Sequence, residues 1–363
     1  WVKMKYDKVF RNPDKARQLS MAINRVCKHS WHIMEICGGQ THALAKYKIE
    51  ELLPDKIRMI HGPGCPVCVT PVGIIDMALS LARRENVILV SFGDMMRVPG
   101  SKDDLLTVRA EGGDIRMVYS PLDALTIAQN NPNKEVVFFA IGFETTAPIH
   151  ALTIEESYRR KITNFSLLTS LFLVPPAIYS LMRDKDCQLD GILAAGHVCS
   201  ITGIEEYRNL ALSQKVPVAI TGFEPFDLLY GIYKCVLLLE NKQYIVENAY
   251  SRAVTFEGNV KARQLMRKYF SLTNVEWRGL GTLPLSGLCI RDKYEQYDAT
   301  KRFQLKTGHV KKERFCVSGE IMKGKMLPDT CIHFGKRCTP EHPLGAAMVS
   351  SEGVCSAFYR YKI

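Results

Sequence analysis

His61-Gly62-Pro63-Gly64-Cys65-Pro66-Val67-Cys68-Val69-Thr70-Pro71 lies between a short apolar run, Ile57 to Ile60, and a stretch of helical periodicity from Gly73 to Arg84. Within that stretch Ile74, Met77, Ala78, Leu81 and Ala82 recur at spacings that share one helical face. The segment therefore reads as strand, stiff loop, helix. Its prolines and glycines hold Cys65 and Cys68 at the mouth of the helix. Backbone N–H groups exposed at a helix start favour the thiolate. A C-x-x-C so placed either cycles between dithiol and disulfide or holds a metal. The loop alone leaves both readings open, beside that of two inert loop cysteines.

The same unit recurs on both sides of the loop. Apolar runs span Trp31 to Ile36, Val87 to Phe92, Ile115 to Tyr119, Val136 to Ile141, Phe165 to Leu173, Gly191 to Ala195 and Val216 to Thr221. Helical patterns separate them, and an amphipathic helix up to Ser30 precedes the first. Short strands alternating with helices indicate parallel β/α units. The expected fold is α/β: two similar parallel-sheet domains, residues 1–130 and 131–260, facing a central cleft. A small irregular C-terminal domain, 261–363, follows. The unusual loops fall at the carboxyl ends of strands, where open parallel sheets bind ligands. Facing sheets would gather Cys37, Cys65, Cys68, Glu144, His197 and Glu224 around one cleft.

Composition narrows the class. The chain has 363 residues, 47% hydrophobic and 23% charged, which suits a soluble protein of two or three domains. Its twelve cysteines, with no secretory signal in view, point to metal or redox chemistry and a cytoplasmic location. The most apolar stretch, Leu167 to Met182, is interrupted by Pro175 and Pro176 and does not read as a membrane span. Between Lys261 and Pro340 there are 17 Lys and Arg against 7 Asp and Glu, so the net charge of +11 sits mostly in the last third. That is either a solvated basic surface or a face for an acidic partner or anionic cofactor. No nucleic-acid motif or aromatic interleaving accompanies it, so no nucleic-acid partner is expected. P-loop, G-x-S-x-G, kinase and H-E-x-x-H patterns are missing, which argues against the common nucleotide- and ester-cleaving mechanisms.

Cys316, Cys331, Cys338 and Cys355, with 14, 6 and 16 residues between them, supply four thiolates for zinc or a four-iron cluster, or are simply packed. Their spacing matches neither a zinc ribbon nor a ferredoxin run. Cys37 is followed by two glycines that let a ligand approach the backbone, and His42 is near in sequence. It reads as a nucleophile, a soft metal ligand or neither. His197 ends a strand, as structural histidines also do. Glu144 and Glu224 are catalytic candidates or helix-start carboxylates that favour the positive end of the dipole. Cys27, Cys187, Cys199 and Cys235 read as ordinary cysteines, and Cys289 has no assigned role.

Met34-Glu35-Ile36-Cys37-Gly38-Gly39-Gln40-Thr41-His42, the loop His61 to Cys68, Gly142-Phe143-Glu144-Thr145-Thr146, Gly196-His197-Val198 and Gly222-Phe223-Glu224-Pro225 occur in this order. Trp277-Arg278-Gly279-Leu280-Gly281 and Met348-Val349-Ser350-Ser351-Glu352-Gly353-Val354-Cys355 follow. Together they closely resemble the HypD family of NiFe-hydrogenase maturation factors, over essentially the whole chain. The resemblance implies a scaffold on which iron receives cyanide and carbonyl ligands, giving the Fe(CN)2CO unit. It implies a small HypC-type chaperone and a HypE-type cyanide-donating protein as partners. A C-terminal 4Fe–4S cluster would pass electrons to a redox dithiol. Carried onto this chain, Cys37 would be an iron ligand shared with the chaperone, Cys65 and Cys68 the dithiol, and His197 a neighbour of the iron. Cys331, Cys338 and Cys355 would hold the cluster. Cys316 is the obvious fourth ligand, with Ser318 and Met326 standing where some relatives carry cysteine. The residues alone would also permit a stand-alone iron–sulfur-dependent thiol–disulfide reductase or a zinc-stabilised binding module.

Overall fold

The eight apolar runs are eight strands. A computed structural model describes residues 10–184, 187–306 and 315–362. In it β1 (Trp31–Glu35), β2 (Ile57–His61), β3 (Val87–Ser91), β4 (Ile115–Met117), β5 (Glu135–Gly142), β6 (Phe165–Phe172), β7 (Gly191–Ala195) and β8 (Val218–Thr221) are followed by β9 (Val246–Asn248), β10 (Phe270–Trp277) and β11 (Gly281–Ile290). Helices connect the strands up to β9. One is Val72–Ala82 after the thiol loop, whose buried face is wider than the periodicity suggests and includes Ile75 and Leu79.

Two sheets result, in the orders β2-β1-β7-β8-β9 and β10-β11-β6-β5-β3-β4. The first is wholly parallel. The second is parallel from β4 to β6 and gains the antiparallel pair β11 and β10 at one edge. β3 is buried along its whole length, and β5 along all but its first residue, as strands covered on both faces must be.

The sheets interleave along the chain, which corrects the division into 1–130 and 131–260. β1 and β2 leave the first half to pair with β7 and β8, while β3 and β4 pair with β5 and β6. The helix after the thiol loop crosses from one sheet to the other, and the chain returns only at Gly191. Residues 261–306 are likewise no separate domain, because β10 and β11 extend the second sheet. Helix Val260–Tyr269 also packs on helix Ala147–Arg159. Residues 315–362 form the irregular part, short helical turns ending in helix Val354–Tyr361.

One apolar cluster joins the sheets. Met34, Ile36 and Ile60 meet Phe143, Phe172 and Trp277 there. The Trp277 ring lies 4.9 Å from that of Phe172 and 5.8 Å from that of Phe143, and its indole N–H donates to Ser286 at 2.9 Å. This buried aromatic junction holds the sheet edges in fixed relation. The first described helix, Pro13–Val26, is capped by the Asn12 side chain and packs on helix Pro225–Glu240. No helix among the described residues is long and apolar enough to cross a membrane.

Candidate metal and thiol site

Parallel pairing of β1 with β2 sets Glu35 opposite His61, so the Cys37 and Cys65 loops leave the sheet side by side. They touch: Gly38 N–H donates to the Gly64 carbonyl at 2.9 Å. A Cβ on Gly64 would collide with the Cys37 backbone, so only glycine permits this approach.

A buried charge chain underlies the contact. Glu35 is fully buried. One carboxylate oxygen accepts the Cys37 N–H at 2.9 Å, and the other accepts from the Thr41 hydroxyl and from His61 Nδ1, the latter at 2.8 Å. His61 Nε2 lies 3.4 Å from Glu50, which Lys362 reaches at 3.2 Å. Burial alone would push the His61 pKa down. Glu35 and Glu50 outweigh it and lift the imidazole to about 9. Burial would raise Glu50, but His61 and Lys362 hold it down to about 2.

The His61 contribution to stability is complete below its ordinary 6.5 and is lost as pH rises through about 9. Glu144, which burial raises to about 8, adds a loss between its ordinary 4.5 and 8. The urea midpoint is therefore expected to fall between pH 6.5 and 9. A midpoint unchanged across that interval would show that His61 is not held as an imidazolium.

Cys37 itself caps helix Gly38–Lys46. β7 runs parallel to β1 with Leu193 opposite Glu35, so His197 emerges beside Cys37. The sulfur is 3.8 Å from His197 Nε2, and His197 Nδ1 is buried with no hydrogen-bond partner among the described residues. Burial lowers His197 to about 4, so the ring is neutral and its nitrogen lone pair is free to bind. Burial, and next the charge of Glu352, push the Cys37 thiol well above its ordinary range. A protonated buried thiol is a poor nucleophile. Beside a neutral imidazole, such a thiol could serve as a soft metal ligand, giving up its proton on binding.

Not every candidate converges here. Glu224 caps helix Pro225–Glu240 and turns outward, where Arg11 grips both its oxygens at 2.5 and 2.8 Å. Its neighbour Phe223 is the residue that reaches the site, with its ring 5.0 Å from the His197 ring. Glu144 is buried and accepts the Val174 N–H at 2.8 Å. His42 turns from Cys37 to the C-terminal segment, meeting the Ser351 carbonyl at 3.2 Å and the Tyr361 hydroxyl at 3.3 Å. The two glycines after Cys37 admit protein: a Cβ on Gly38 would collide with Glu352, and one on Gly39 would lie 3.2 Å from the Phe223 ring. Glu35, Phe223 and Glu352 were thus not singled out as site residues. Only their presence within otherwise noted motifs marked them.

The Cys65 and Cys68 sulfurs are bonded to each other. Both are buried, and they pack with Ala347 and Cys355. Cys355 in turn lines a small apolar cavity with Cys316, Cys331 and Cys338. The four sulfurs are near enough for Cys316, Cys338 and Cys331 to add to the effect of burial in raising Cys355. Among the described residues no group of three or more His, Cys, Asp or Glu is arranged to hold a metal ion.

Fold and site together define a cysteine-rich α/β protein with a buried thiol–imidazole pair and a disulfide-forming pair at one sheet edge. The chain belongs to the HypD family of hydrogenase maturation factors, which places it in hydrogenase maturation: the family described as "HypD: Hydrogenase formation hypA family" matches residues 14–362. The chain is similar to the hydrogenase maturation factor HypD of Azotobacter vinelandii, with 45% identity over 367 residues, covering 99% of this chain and 97% of that one. HypD2 of Bradyrhizobium diazoefficiens is 44% identical, with coverage of 99% and 97%. HypD of Escherichia coli K12 is 40% identical, with coverage of 99% and 98%.

Proposed function

We propose that the protein is the cytoplasmic scaffold on which the Fe(CN)2CO unit of NiFe hydrogenase is assembled. The observation that carries the reading is the buried Cys37 sulfur facing the His197 imidazole, on a loop that touches the disulfide-forming loop. The iron unit is the substrate. Cys37 would give up its proton to bind it as a thiolate, shared with a small HypC-type chaperone, while His197 lies beside it. A HypE-type protein would deliver the cyano group. Reduction of the Cys65–Cys68 disulfide takes two electrons and two protons and yields two thiols next to that substrate.

The residues present fit a 4Fe–4S cluster. Four thiols line one small apolar cavity, and four thiolates are the usual ligand set of such a cluster. Cys316, Cys331, Cys338 and Cys355 would hold it, and it supplies electrons one at a time when bound. Cys355 packs against the disulfide, so a cluster held by it would lie beside the pair. Burial of both sulfurs of the pair favours an internal partner over the generic disulfide substrates of a stand-alone reductase.

The test is infrared spectroscopy of the complex with its small chaperone, purified without oxygen. The wild-type complex is expected to show bands of iron-bound cyanide and carbonyl. Cys37→Ala is expected to lose them and to mature hydrogenase only at background level. Unchanged bands in that variant would refute the iron assignment.

A further inference from the structure

A second cleft, of about 740 Å3, opens between helix Val260–Tyr269, the β10–β11 hairpin and the start of helix Val174–Met182. That size is typical of small-molecule sites, roughly 300–1,000 Å3. No cysteine lines it, and the thiol chemistry above makes no use of it.

Its walls differ. Leu272 and Leu285 offer exposed apolar surface over the buried Phe270 and Leu288, and Arg263, Arg267 and Arg291 face the same space. Arg291 Nε donates to the carbonyls of Arg267 and Phe270, both at 2.9 Å, which fixes its guanidinium. Arg263 Nη1 donates to the Thr202 carbonyl at 3.3 Å, but its Nε is buried with no hydrogen-bond partner among the described residues. Glu144 is 2% exposed and lines the same cleft. One of its oxygens accepts the Val174 N–H, and the other, Oε2, is buried without a partner among the described residues. Burial holds Glu144 protonated up to about pH 8, so near neutrality it offers a hydrogen-bond donor rather than a charge. Glu206 is the other carboxyl lining the cleft, and burial raises it too.

Buried polar atoms are seldom left unpaired. Here a guanidinium N–H and a carboxyl oxygen both lack a partner, in a space lined by three arginines. An external anion would satisfy both, and guanidinium groups bind phosphate and carboxylate with matched, charge-assisted hydrogen bonds. Such a role would also account for part of the basic excess that begins near residue 261.

We propose that this cleft binds a small amphiphilic anion, a phosphate or carboxylate on a flat apolar body. Arg263, Arg267 and Arg291 take the anion, Leu272 and Leu285 take the body, and Glu144 hydrogen-bonds one anion oxygen. The site goes beyond the maturation reading and is independent of it.

The test is calorimetric titration of the full chain with phenyl phosphate, with benzoate, and with inorganic phosphate as the bare anion, at about 0.15 M ionic strength to screen diffuse attraction. One of the two aromatic probes is expected to bind saturably at one site, the tighter one naming the anion. Inorganic phosphate is expected to bind at least about tenfold more weakly, because it lacks the ring to bury. Arg263→Gln and Arg267→Gln are each expected to weaken binding about tenfold. Glu144→Gln, which keeps a donor, should retain binding that Glu144→Leu loses. Arg267 is exposed, so its variant stays a folded probe whatever the buried substitutions do, and melting curves check each protein. Failure of both aromatic probes to bind overturns the proposal. So does equal affinity for inorganic phosphate, or affinity unchanged in Arg267→Gln.

Discussion

Glu35→Ala is expected to destabilise the protein by about 3–5 kcal/mol, the range for removing one partner of a buried ion pair. Three donors lose this acceptor at once, the Cys37 N–H, the Thr41 hydroxyl and the His61 imidazolium, and among the described residues only Thr41 has a backbone carbonyl, that of Cys37 at 3.3 Å, to turn to. His61 is itself buried, so its charge has no access to water when Glu35 is gone. Glu50, 3.4 Å from its other nitrogen, is then its one remaining charged neighbour among the described residues, and the His61 pKa should drop from about 9. Glu35→Gln should be milder. Its amide oxygen still accepts one hydrogen bond, but its NH2 group faces a donor and it brings no charge to His61. Urea unfolding gives the energies, and a histidine-resolved NMR titration gives the pKa. A loss under about 1 kcal/mol for Glu35→Ala would mean that the buried pair contributes little net stability, as an optimally replaceable ion pair would.

This buried chain shows where sequence reading stops. The strands were legible because each is a short apolar run closed by glycine, proline or a polar loop, as at Ile57–Ile60 before Gly62 and Pro63. Their pairing was not. β1 lies between β2 and β7, a partner more than 150 residues away, and no local pattern encodes that neighbour. β10 and β11 escaped because their alternation is weak, with Leu272 and Leu285 exposed and Ser286 buried. Sites at strand ends fared better. The rule that ligands gather at carboxyl edges singled out Cys37 and His197, and register then brought their side chains to 3.8 Å. The same rule missed by one residue at Gly222-Phe223-Glu224. A glutamate draws attention as chemistry, but the helix cap turns it toward Arg11 and leaves the phenyl ring at the site. Glu35 and Glu352 lie within noted motifs, yet only tertiary contact shows that one anchors the Cys37 loop and the other abuts Gly38.

Changing Cys65 and Cys68 to serine, singly or together, is expected to leave the protein folded and to reduce hydrogenase maturation to background. The disulfide spans a sequence separation of only 3. By the loop-entropy relation, a ring that small removes about 2 kcal/mol of unfolded-state freedom, against about 4.7 for a 100-residue loop. A cross-link placed for stability would close a longer stretch. Serine, slightly smaller than cysteine, also fits the space, although its hydroxyl would lie beyond hydrogen-bond reach of the Ala346 carbonyl, 3.9 Å from the Cys68 sulfur. What serine cannot do is exchange two electrons. On the proposed function that exchange is the whole purpose of the pair, since its buried sulfurs pack against Cys355 rather than face solvent. Melting temperature, iron–sulfur absorbance and hydrogenase activity should therefore separate in the double variant, the first two near wild type and the third lost. Maturation at the wild-type level would remove the dithiol from the mechanism. Loss of the absorbance together with activity would show instead that the pair supports the cluster pocket through Cys355.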